Sequence, residues 1–342
     1  MMRRLLVPAA LLAAGLSFGA AAADVVTAAK VAKPPRLESG AADQAWAKAK
    51  PLTVKLSGGK NFKDGGTTAT IKAVYSGEML YMLLQYADPT QSIRRFPYQK
   101  QADGRWKKLV DPADKGGDDN IYYEDKYAII WNINNSIKGF SEQGCMVACH
   151  AGEPGKPFGN KYTASDGELG DIWHMKSIRT GYIGQTDDQY LDNTRFDKDK
   201  SPEAGRKSDP KTGGGYSDVK LVDGKPEFMN KSGIPANKKG GTYYVKEADK
   251  APFDDSKFKA GDEVASIVVA PFTGDRGEIA TAINWKGGKW TAVMSRKLTT
   301  GSKFDVQFDS LDGTYDFGLA TFDNAQVRHA IHMGALKLKF AK

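Results

Sequence analysis

The sequence predicts a mainly β protein, an antiparallel β-sandwich, and three observations support this fold class. Short apolar runs rich in β-branched and aromatic residues recur along the chain between turn-forming residues. Several of these runs alternate apolar and polar residues with a period of two. No run of ordinary helix length shows the periodicity of an amphipathic helix. Strands of this kind bury one face by packing in two layers around a common core.

The first residues have the pattern of a secretory signal peptide. Two arginines precede an apolar run over residues 5–22, and three alanines at 21–23 precede Asp24. A proline and two glycines interrupt the run, which argues against a membrane anchor. We therefore expect cleavage near Ala23, export to the periplasm, no stable membrane insertion, and one domain over residues 24–342.

The predicted strands follow one another along the mature chain. Residues 70–86 read as a hairpin, because two apolar runs flank Ser76-Gly77-Glu78. The same reasoning predicts further strands at residues 126–133, 264–271, 279–285, 289–298, 304–308, 315–322 and 334–340.

Residues 151–259 differ in composition from these strand-rich parts. They are rich in Gly, Lys, Asp, Ser and Pro and poor in aliphatic residues. We expect mostly loop here, with a long loop-rich insertion over about residues 200–260 that forms a surface excursion. Apolar and aromatic residues gather at 169–191, where a short helix or a docked loop is expected.

The charge of the chain is basic but spread out. The sequence has 49 Lys and Arg against 41 Asp and Glu, a formal net charge of +8. No basic run with interleaved aromatic residues is present, so nucleic acid is not an expected partner.

The two cysteines lie together in Cys145-Met146-Val147-Ala148-Cys149-His150. Two thiols and an adjacent imidazole are what covalent haem attachment requires, although the usual spacing is C-x-x-C-H and one residue is inserted here. A small disulfide and a thiol metal site such as zinc are the alternatives. Two cysteines are too few for an iron-sulfur cluster. The segment predicts one covalent haem c, with His150 as an iron ligand.

Histidine is scarce in this chain, and each histidine lies in a distinctive segment. Besides His150, His174 follows Trp173, and the remaining two lie in Arg328-His329-Ala330-Ile331-His332-Met333. Imidazole and thioether are both ordinary axial ligands of haem iron. The candidates for the second axial position are His329, His174, Met175, His332 and Met333. A packing role is the alternative for each.

Four segments resemble the haem-binding domain of ethylbenzene dehydrogenase gamma subunits. They are residues 123–131, 144–150, 171–174 and 322–330. That family includes the gamma subunits of dimethylsulfide dehydrogenase and of selenate and chlorate reductases, together with c-type relatives that keep a C-x-x-x-C-H. The similarity covers most of the mature chain except the insertion.

The resemblance implies a β-sandwich that holds one haem at its loop end and exchanges electrons with a molybdenum enzyme of the dimethylsulfoxide reductase class. The best-known members hold haem b between a methionine and a lysine, and that lysine lies in an Arg-Lys-Ala motif. Here the motif is Arg328-His329-Ala330, so the resemblance implies iron held by His150 and His329. Lys176, Arg179 and Arg328 are expected to pair with the haem propionates, or to form ordinary surface ion pairs.

These observations predict a periplasmic c-type cytochrome that transfers electrons and is not an enzyme on its own. A six-coordinate iron has no open position for substrate. Its redox partner would be a molybdenum oxidoreductase with molybdopterin and iron-sulfur subunits. The alternative is a periplasmic carbohydrate- or ligand-binding β-sandwich with a small disulfide and exposed Trp285 and Trp290. A haem enzyme such as a peroxidase, with an open iron position, is a third hypothesis.

Overall fold

A computed structural model of the chain describes residues 24–114, 119–150 and 161–342. The expected signal peptide, residues 1–23, lies outside this part of the chain. Within it, no helix is both long and apolar enough to cross a membrane.

The strands are short to medium in length and are numbered in chain order. The first twelve are β1 Val25–Lys30, β2 Leu52–Ser57, β3 Gly66–Ser76, β4 Met79–Ala87, β5 Tyr98–Lys100, β6 Trp106–Lys108, β7 Lys126–Asn132, β8 Gly170–Lys176, β9 Asp187–Leu191, β10 Arg206–Ser208, β11 Gly213–Asp218 and β12 Leu221–Val222. The others are β13 Lys225–Pro226, β14 Phe228–Asn230, β15 Val245–Lys246, β16 Lys250–Pro252, β17 Glu263–Val264, β18 Ile267–Thr273, β19 Ala280–Trp285, β20 Lys289–Lys297, β21 Tyr315–Phe322, β22 Ala330–Ile331 and β23 Leu336–Phe340.

In the described part of the chain, helical structure consists of short segments of three to six residues. The α-helix is α1 Phe140–Gln143. The 3-10 helices are Leu37–Ala42, Gln44–Lys48, Lys63–Gly65, Ile133–Asn135, Gly144–Val147, Gly181–Ile183, Glu247–Asp249, Asp255–Lys257 and Asp275–Gly277.

Thirteen strands form one large sheet. Its order is β10-β9-β8-β7-β21-β22-β2-β3-β4-β20-β19, with β1 between β23 and β3, and β23 also beside β21. Its pairs are antiparallel except those of β1, which runs parallel to both β23 and β3. The sheet is therefore mixed, because β1 pairs in parallel with its neighbours. The prediction of a mainly β protein is confirmed.

The main core lies between the two halves of this sheet. Tyr127 and Trp131 of β7 are fully buried in one cluster with Tyr86 of β4 and Met294 of β20. The hydroxyl of Tyr127 lies 3.8 Å from the sulfur of Met294, and Trp131 packs on Phe317 with ring centroids 4.7 Å apart. Two layers of strands thus enclose one apolar core, which is the predicted sandwich arrangement.

The expected insertion over residues 200–260 contains the short strands β10 to β16. Met229 and Phe258 from this segment are buried with Tyr98 and Trp106, which precede it in the chain. The rings of Trp106 and Phe258 meet edge to face at 5.6 Å. This part of the chain therefore builds a second, smaller core with residues 98–108.

Most predicted strands are confirmed, and two predictions are wrong. Residues 304–308 form no strand, because the Val306 amide donates to the Asp171 carboxylate and the Val306 carbonyl accepts from the Arg296 side chain. These two side chains take the backbone bonds that a neighbouring strand would make. Residues 169–191 are neither a helix nor a docked loop. They form β8, one 3-10 turn and β9.

Candidate cofactor-binding site

A cleft lies on the outer face of the sheet, over β7, β8 and β21. Successive side chains of a strand point to opposite faces. Tyr127, Ile129 and Trp131 of β7 enter the core, whereas Lys126, Ala128 and Ile130 line the cleft. On β8 the same alternation places Trp173 and Met175 in the core. Ile172, His174 and Lys176 line the cleft.

The register of the three strands arranges the floor of the cleft in three rows. The apolar row consists of Gly318, Ile130 and Ile172. The middle row, called the small row because two of its three residues are alanines, consists of Ala320, Ala128 and His174. The basic row consists of Phe322, Lys126 and Lys176. The floor is therefore apolar at one end, carries mostly short side chains in the middle and is basic at the other end.

The space above this floor has a cavity volume of about 230 Å³ and is partly open to solvent. Cofactor sites combine apolar walls with a few charged groups. The cleft has the polarity gradient of a site for a flat apolar molecule that carries acidic groups on one edge.

The segment with both cysteines covers the apolar row. Gly144 has φ +58°, and a Cβ there would lie 2.3 Å from the Gly334 carbonyl oxygen, so only glycine fits this close approach. A Cβ on Gly318 would lie 3.2 Å from the Cβ of Cys145. These two glycines allow the segment to lie close on the sheet. Cys145, Cys149 and His150 all line the cleft as a result.

Both cysteines are free thiols. Burial raises the pKa of Cys145 to about 12 and that of Cys149 to about 11. The two thiols are therefore protonated at neutral pH.

The imidazoles of His150 and His329 face each other in the cleft. Their Nε2 atoms are 3.2 Å apart, and their ring centroids are 5.1 Å apart. The Nδ1 of His329 lies 2.5 Å from the Val327 carbonyl oxygen. Because that oxygen can only accept, we assign the proton of His329 to Nδ1, which leaves a lone pair on Nε2.

Burial lowers the pKa of both facing histidines. The pKa of His150 is lowered by burial. The pKa of His329 is lowered to about 3 by burial and by the nearby His150. The ring of Phe322 supports His329 at a centroid distance of 4.5 Å. Both imidazoles are therefore neutral at physiological pH, which is the form that binds a metal.

His174 also lines the cleft, from the small row. Its Nδ1 pairs with Gln189 Oε1 at 3.1 Å, and its ring stacks on Phe322 at 5.8 Å. Its Nε2 is buried and has no hydrogen-bond partner among the residues that the structure describes. Burial, and then Lys176 and Lys126, lower its pKa well below the ordinary value. A neutral imidazole whose Nε2 lacks a partner therefore lies in the wall of the cavity.

Buried cations line the charged end of the cleft. Lys126 donates to the Gln326 carbonyl oxygen at 2.8 Å and lies 4.0 Å above the Phe322 ring centroid. Burial, and next Arg179, lower its pKa well below the ordinary value. Lys176 pairs with Asp187, and Arg179 pairs with Glu124. Positive groups outnumber carboxylates here, so an anionic group would be stabilised.

The other predicted residues lie away from this cavity. Met175 enters the core. His332 pairs with Asp24 at 3.0 Å, and Met333 is 60% exposed. Arg328 is outside the cleft lining. Its carbonyl accepts from the Lys60 amide at 3.2 Å.

Sequence reasoning missed several lining residues. Lys126 had a detectable signal, since it precedes Ala128 and Ile130 by steps of two on a predicted strand. Tyr216 and Arg206 had none, because they come from the insertion, yet both line the cleft. Gln189 was hidden in the segment predicted as a helix or a loop.

The residues of the cleft fit a haem group. The two thiols lie over the apolar row, and the alanines of the small row leave room for a flat ring. The cations of the basic row lie at the end where the propionate carboxylates of the ring would be placed. A metal between two imidazoles needs about 4 Å between the nitrogens, given about 2 Å for each bond. The observed 3.2 Å would widen by less than about 1 Å on binding.

The aromatic platform expected for a carbohydrate-binding module is not formed by the predicted residues. Trp290 is 1% exposed and donates to the Asp125 carboxylate at 3.1 Å. Trp285 is half-buried and donates to the Asp88 carbonyl oxygen at 2.9 Å. Neither ring is presented as a flat exposed surface.

Comparison with known proteins gives one family match. The model of the family described as ethylbenzene dehydrogenase matches residues 43–334. No curated protein matches the chain.

Similar solved structures include a carbohydrate binding module family 9 from Caldicellulosiruptor kristjanssonii in complex with cellotriose. It is 9% identical, covers 93% of this chain and 95% of its own, and has a TM-score of 0.33. A protein from Bacteroides uniformis described as carbohydrate-binding is 9% identical, covers 93% of this chain and all of its own, and has a TM-score of 0.38. Likenesses this low carry no functional information.

Proposed function

The chain belongs to the ethylbenzene dehydrogenase family, and on that premise we propose that it is a c-type cytochrome that exchanges electrons with a partner protein. One observation carries the proposal. The Nε2 atoms of His150 and His329 face each other in a cleft that both thiols also line. Two neutral imidazoles and two thiols are the donors that a covalently attached, six-coordinate haem requires.

In this proposal Cys145 and Cys149 anchor the cofactor, and His150 and His329 hold its iron from both sides. Haem bound in this way would supply reversible one-electron oxidation and reduction. The two histidines fill both axial positions and so exclude substrate and oxygen from the iron. The hydrogen bond from His329 Nδ1 to Val327 fixes the orientation of the distal ring.

The floor of the cleft would set the orientation of the cofactor. Ile130 and Ile172 offer apolar contact beside the cysteines. Lys126, Lys176 and Arg179 offer charged donors at the opposite end, where propionate carboxylates would be stabilised. His174 lies between these ends, in the wall of the cleft.

The proposed partner is a molybdenum oxidoreductase, and the chain is its subunit or a shuttle related to it. Family membership supports this assignment. With two cysteines in the whole sequence, the chain lacks the four thiolates that common iron-sulfur clusters take, and the proposal uses both of its thiols for haem attachment. The partner's molybdopterin and iron-sulfur centres would therefore lie on other chains. The signal-peptide pattern of residues 1–23 supports the periplasm as the site of this exchange.

The test is production of the full-length precursor in a cell competent in cytochrome maturation. We expect a coloured protein whose haem stays with the polypeptide on a denaturing gel and whose ferric spectrum is low-spin. A high-spin spectrum would support the peroxidase alternative instead. A colourless protein with its two sulfurs joined in a disulfide would refute the proposal and favour a ligand-binding module.

A further inference from the structure

A second group of charged side chains lies on the opposite face of β8 and β9 from the cofactor cleft. Asp171, Asp188 and Asp305 each place one carboxylate oxygen so that the three atoms lie within 4.8 Å of one another. The three residues are at most 1% exposed. Like charges this close in a buried site repel strongly unless a cation or a proton neutralises them.

One arginine enters the group, but it satisfies only part of it. Arg296 donates to Asp171 Oδ2 at 2.8 Å and lies 3.8 Å from Asp305 Oδ2. Asp171 Oδ2 also accepts from the Trp173 indole at 3.1 Å and the Val306 amide at 2.9 Å. The Oδ1 atoms of Asp171 and Asp305 have no hydrogen-bond partner in the described part of the chain. Arg296 therefore occupies one side of the group and leaves the other side open.

Asp188 provides the strongest sign that a ligand belongs here. Its side chain is completely buried, and neither carboxylate oxygen has a hydrogen-bond partner among the described residues. Asp209, which is 3% exposed, lies next to the group, and its amide donates to the Asp188 carbonyl oxygen at 3.2 Å. A buried carboxylate without any donor is costly, and a bound cation removes that cost.

We propose that Asp171, Asp188 and Asp305 bind a calcium ion, with Asp209 beside them. The donors are all carboxylate oxygens, which hard cations prefer and zinc does not. Calcium accepts six to eight oxygen ligands in flexible geometry, whereas magnesium keeps most of its waters and uses one or two carboxylates. Four carboxylates and one guanidinium leave a net charge of −3, which a divalent ion reduces to −1.

The site would tie β8 and β9 to the loop that contains Asp305. A surface cleft lined by Asp305, Ser302 and Gln307 reaches the same loop and gives an ion a route of entry. β8 carries Asp171 on this face, and His174 and Lys176 on the cofactor face. Calcium would therefore stabilise the strand that supplies Ile172, His174 and Lys176 to the cofactor cleft.

A second buried trio of carboxylates offers a matched control. Asp88, Asp125 and Asp323 also place oxygens within 4.8 Å of one another. Asp125, however, accepts hydrogen bonds from Ser92, Trp290 and Asn324, and Asp88 accepts from Thr90. Hydrogen bonds already satisfy much of this trio, so the proposal assigns no ion to it.

The test combines metal analysis with thermal unfolding of the full chain carrying its cofactor. We expect about one calcium per chain after gel filtration, and a melting temperature that rises by about 5 °C when calcium reaches a hundredfold excess over its dissociation constant. Chelation should reverse the rise, and magnesium should not reproduce it. Asp188→Asn should weaken calcium binding more than about tenfold, while Asp88→Asn should bind calcium like the wild type.

Several results would overturn the proposal. They are a wild-type protein without calcium and without any response to it, an equal response to magnesium, and an Asp188→Asn variant with unchanged calcium content. If Asp188→Asn does not fold, Asp305→Asn decides the question, because wild-type calcium affinity in that variant would refute the site and weakened affinity would support it. None of these readouts depends on electron transfer.

Discussion

The Nε2 atoms of His150 and His329 lie 3.2 Å apart although 179 positions separate the two residues in sequence. One belongs to the cysteine segment and the other to the link between β21 and β22. The opposed nitrogens lead to the first two predictions.

Replacing His329 with alanine should change the spin state of the iron. Loss of one strong-field imidazole opens an axial position, so the ferric spectrum should convert from low-spin to high-spin, as measured by visible absorption and electron paramagnetic resonance. His332→Ala is the matched control, because His332 contacts Asp24 instead of the cleft. An unchanged spectrum in His329→Ala would transfer the ligand role to His174.

Replacing His329 with methionine should raise the reduction potential. Methionine ligation stabilises the reduced iron relative to imidazole. The variant should stay low-spin, and a spectroelectrochemical titration would measure the shift. A potential equal to that of the wild type would mean that residue 329 is not an axial ligand.

Replacing Cys149 with alanine should prevent stable double attachment of the cofactor. Haem staining of a denaturing gel should weaken, and the haemochrome spectrum should shift to that of a singly attached group. Met146→Ala is the control, because it keeps both thiols, the imidazole and their spacing. Full staining and an unshifted spectrum in Cys149→Ala would contradict the role of the motif.

Asp187→Asn should destabilise the cleft strongly. Asp187 is buried and accepts from Lys176 and from Arg276. Its loss leaves two buried cations uncompensated, which costs about 3–5 kcal/mol in the free energy of unfolding. Urea denaturation would measure this cost.

The exposed pair between Glu247 and Lys250 is the control for Asp187. Glu247→Gln should cost less than about 1 kcal/mol. Equal effects of the two substitutions would contradict the importance of burial.

Although burial favours the neutral acid, Lys176 and Arg276 lower the pKa of Asp187 to about 2. Its stabilisation is present above the unfolded pKa near 3.9 and is lost as the pH falls toward 2.

His174 should make the haem-free protein sensitive to acid. Its pKa in the fold is lowered by burial and by Lys176 and Lys126, so the unfolded chain takes up a proton first. Its stabilisation is full above the unfolded pKa near 6.5 and declines as the pH falls below it, by up to about 1.4 kcal/mol for each pH unit.

Urea denaturation from pH 7 to pH 5 would measure this slope. The background is a chain with both cysteines replaced by alanine, which keeps it free of attached haem. His174→Gln should reduce the slope because glutamine does not titrate, while His150 and His329, whose pKa values are also lowered by burial, supply the remainder. A variant with the same slope as its parent would show that His174 is not the group responsible.

Strands made of apolar, β-prone residues could be predicted from sequence, even where both faces are covered as in β7 and β21, whereas β8, which mixes charged and apolar residues, could not. The hairpin of β3 and β4 and the strand β21 were visible as periodic or turn-separated runs. All seven residues of β8 are buried, because the core covers one face and the cleft covers the other. Its sequence mixes Asp171, His174 and Lys176 with apolar residues and shows no alternation.

The chemistry-bearing residues of the site could be predicted, but their surroundings could not. Rare residue types marked Cys145, Cys149 and His150, and the family resemblance marked His329. Lysines and arginines are common on any surface, so sequence did not separate Arg206 from solvated charges. Only the register of β7, β8 and β21 places Lys126 beside Lys176.

Because side chains alternate along β7, β8 and β21, these strands separate the apolar core from the cleft. Replacing Ala128 or Ile172 alters the cleft and leaves the core intact. Deleting a single residue would exchange the two faces, bringing Lys126 into the apolar core and Trp131 into the cleft. Relatives could therefore retune cofactor chemistry by substitution along these strands, while their lengths must stay fixed.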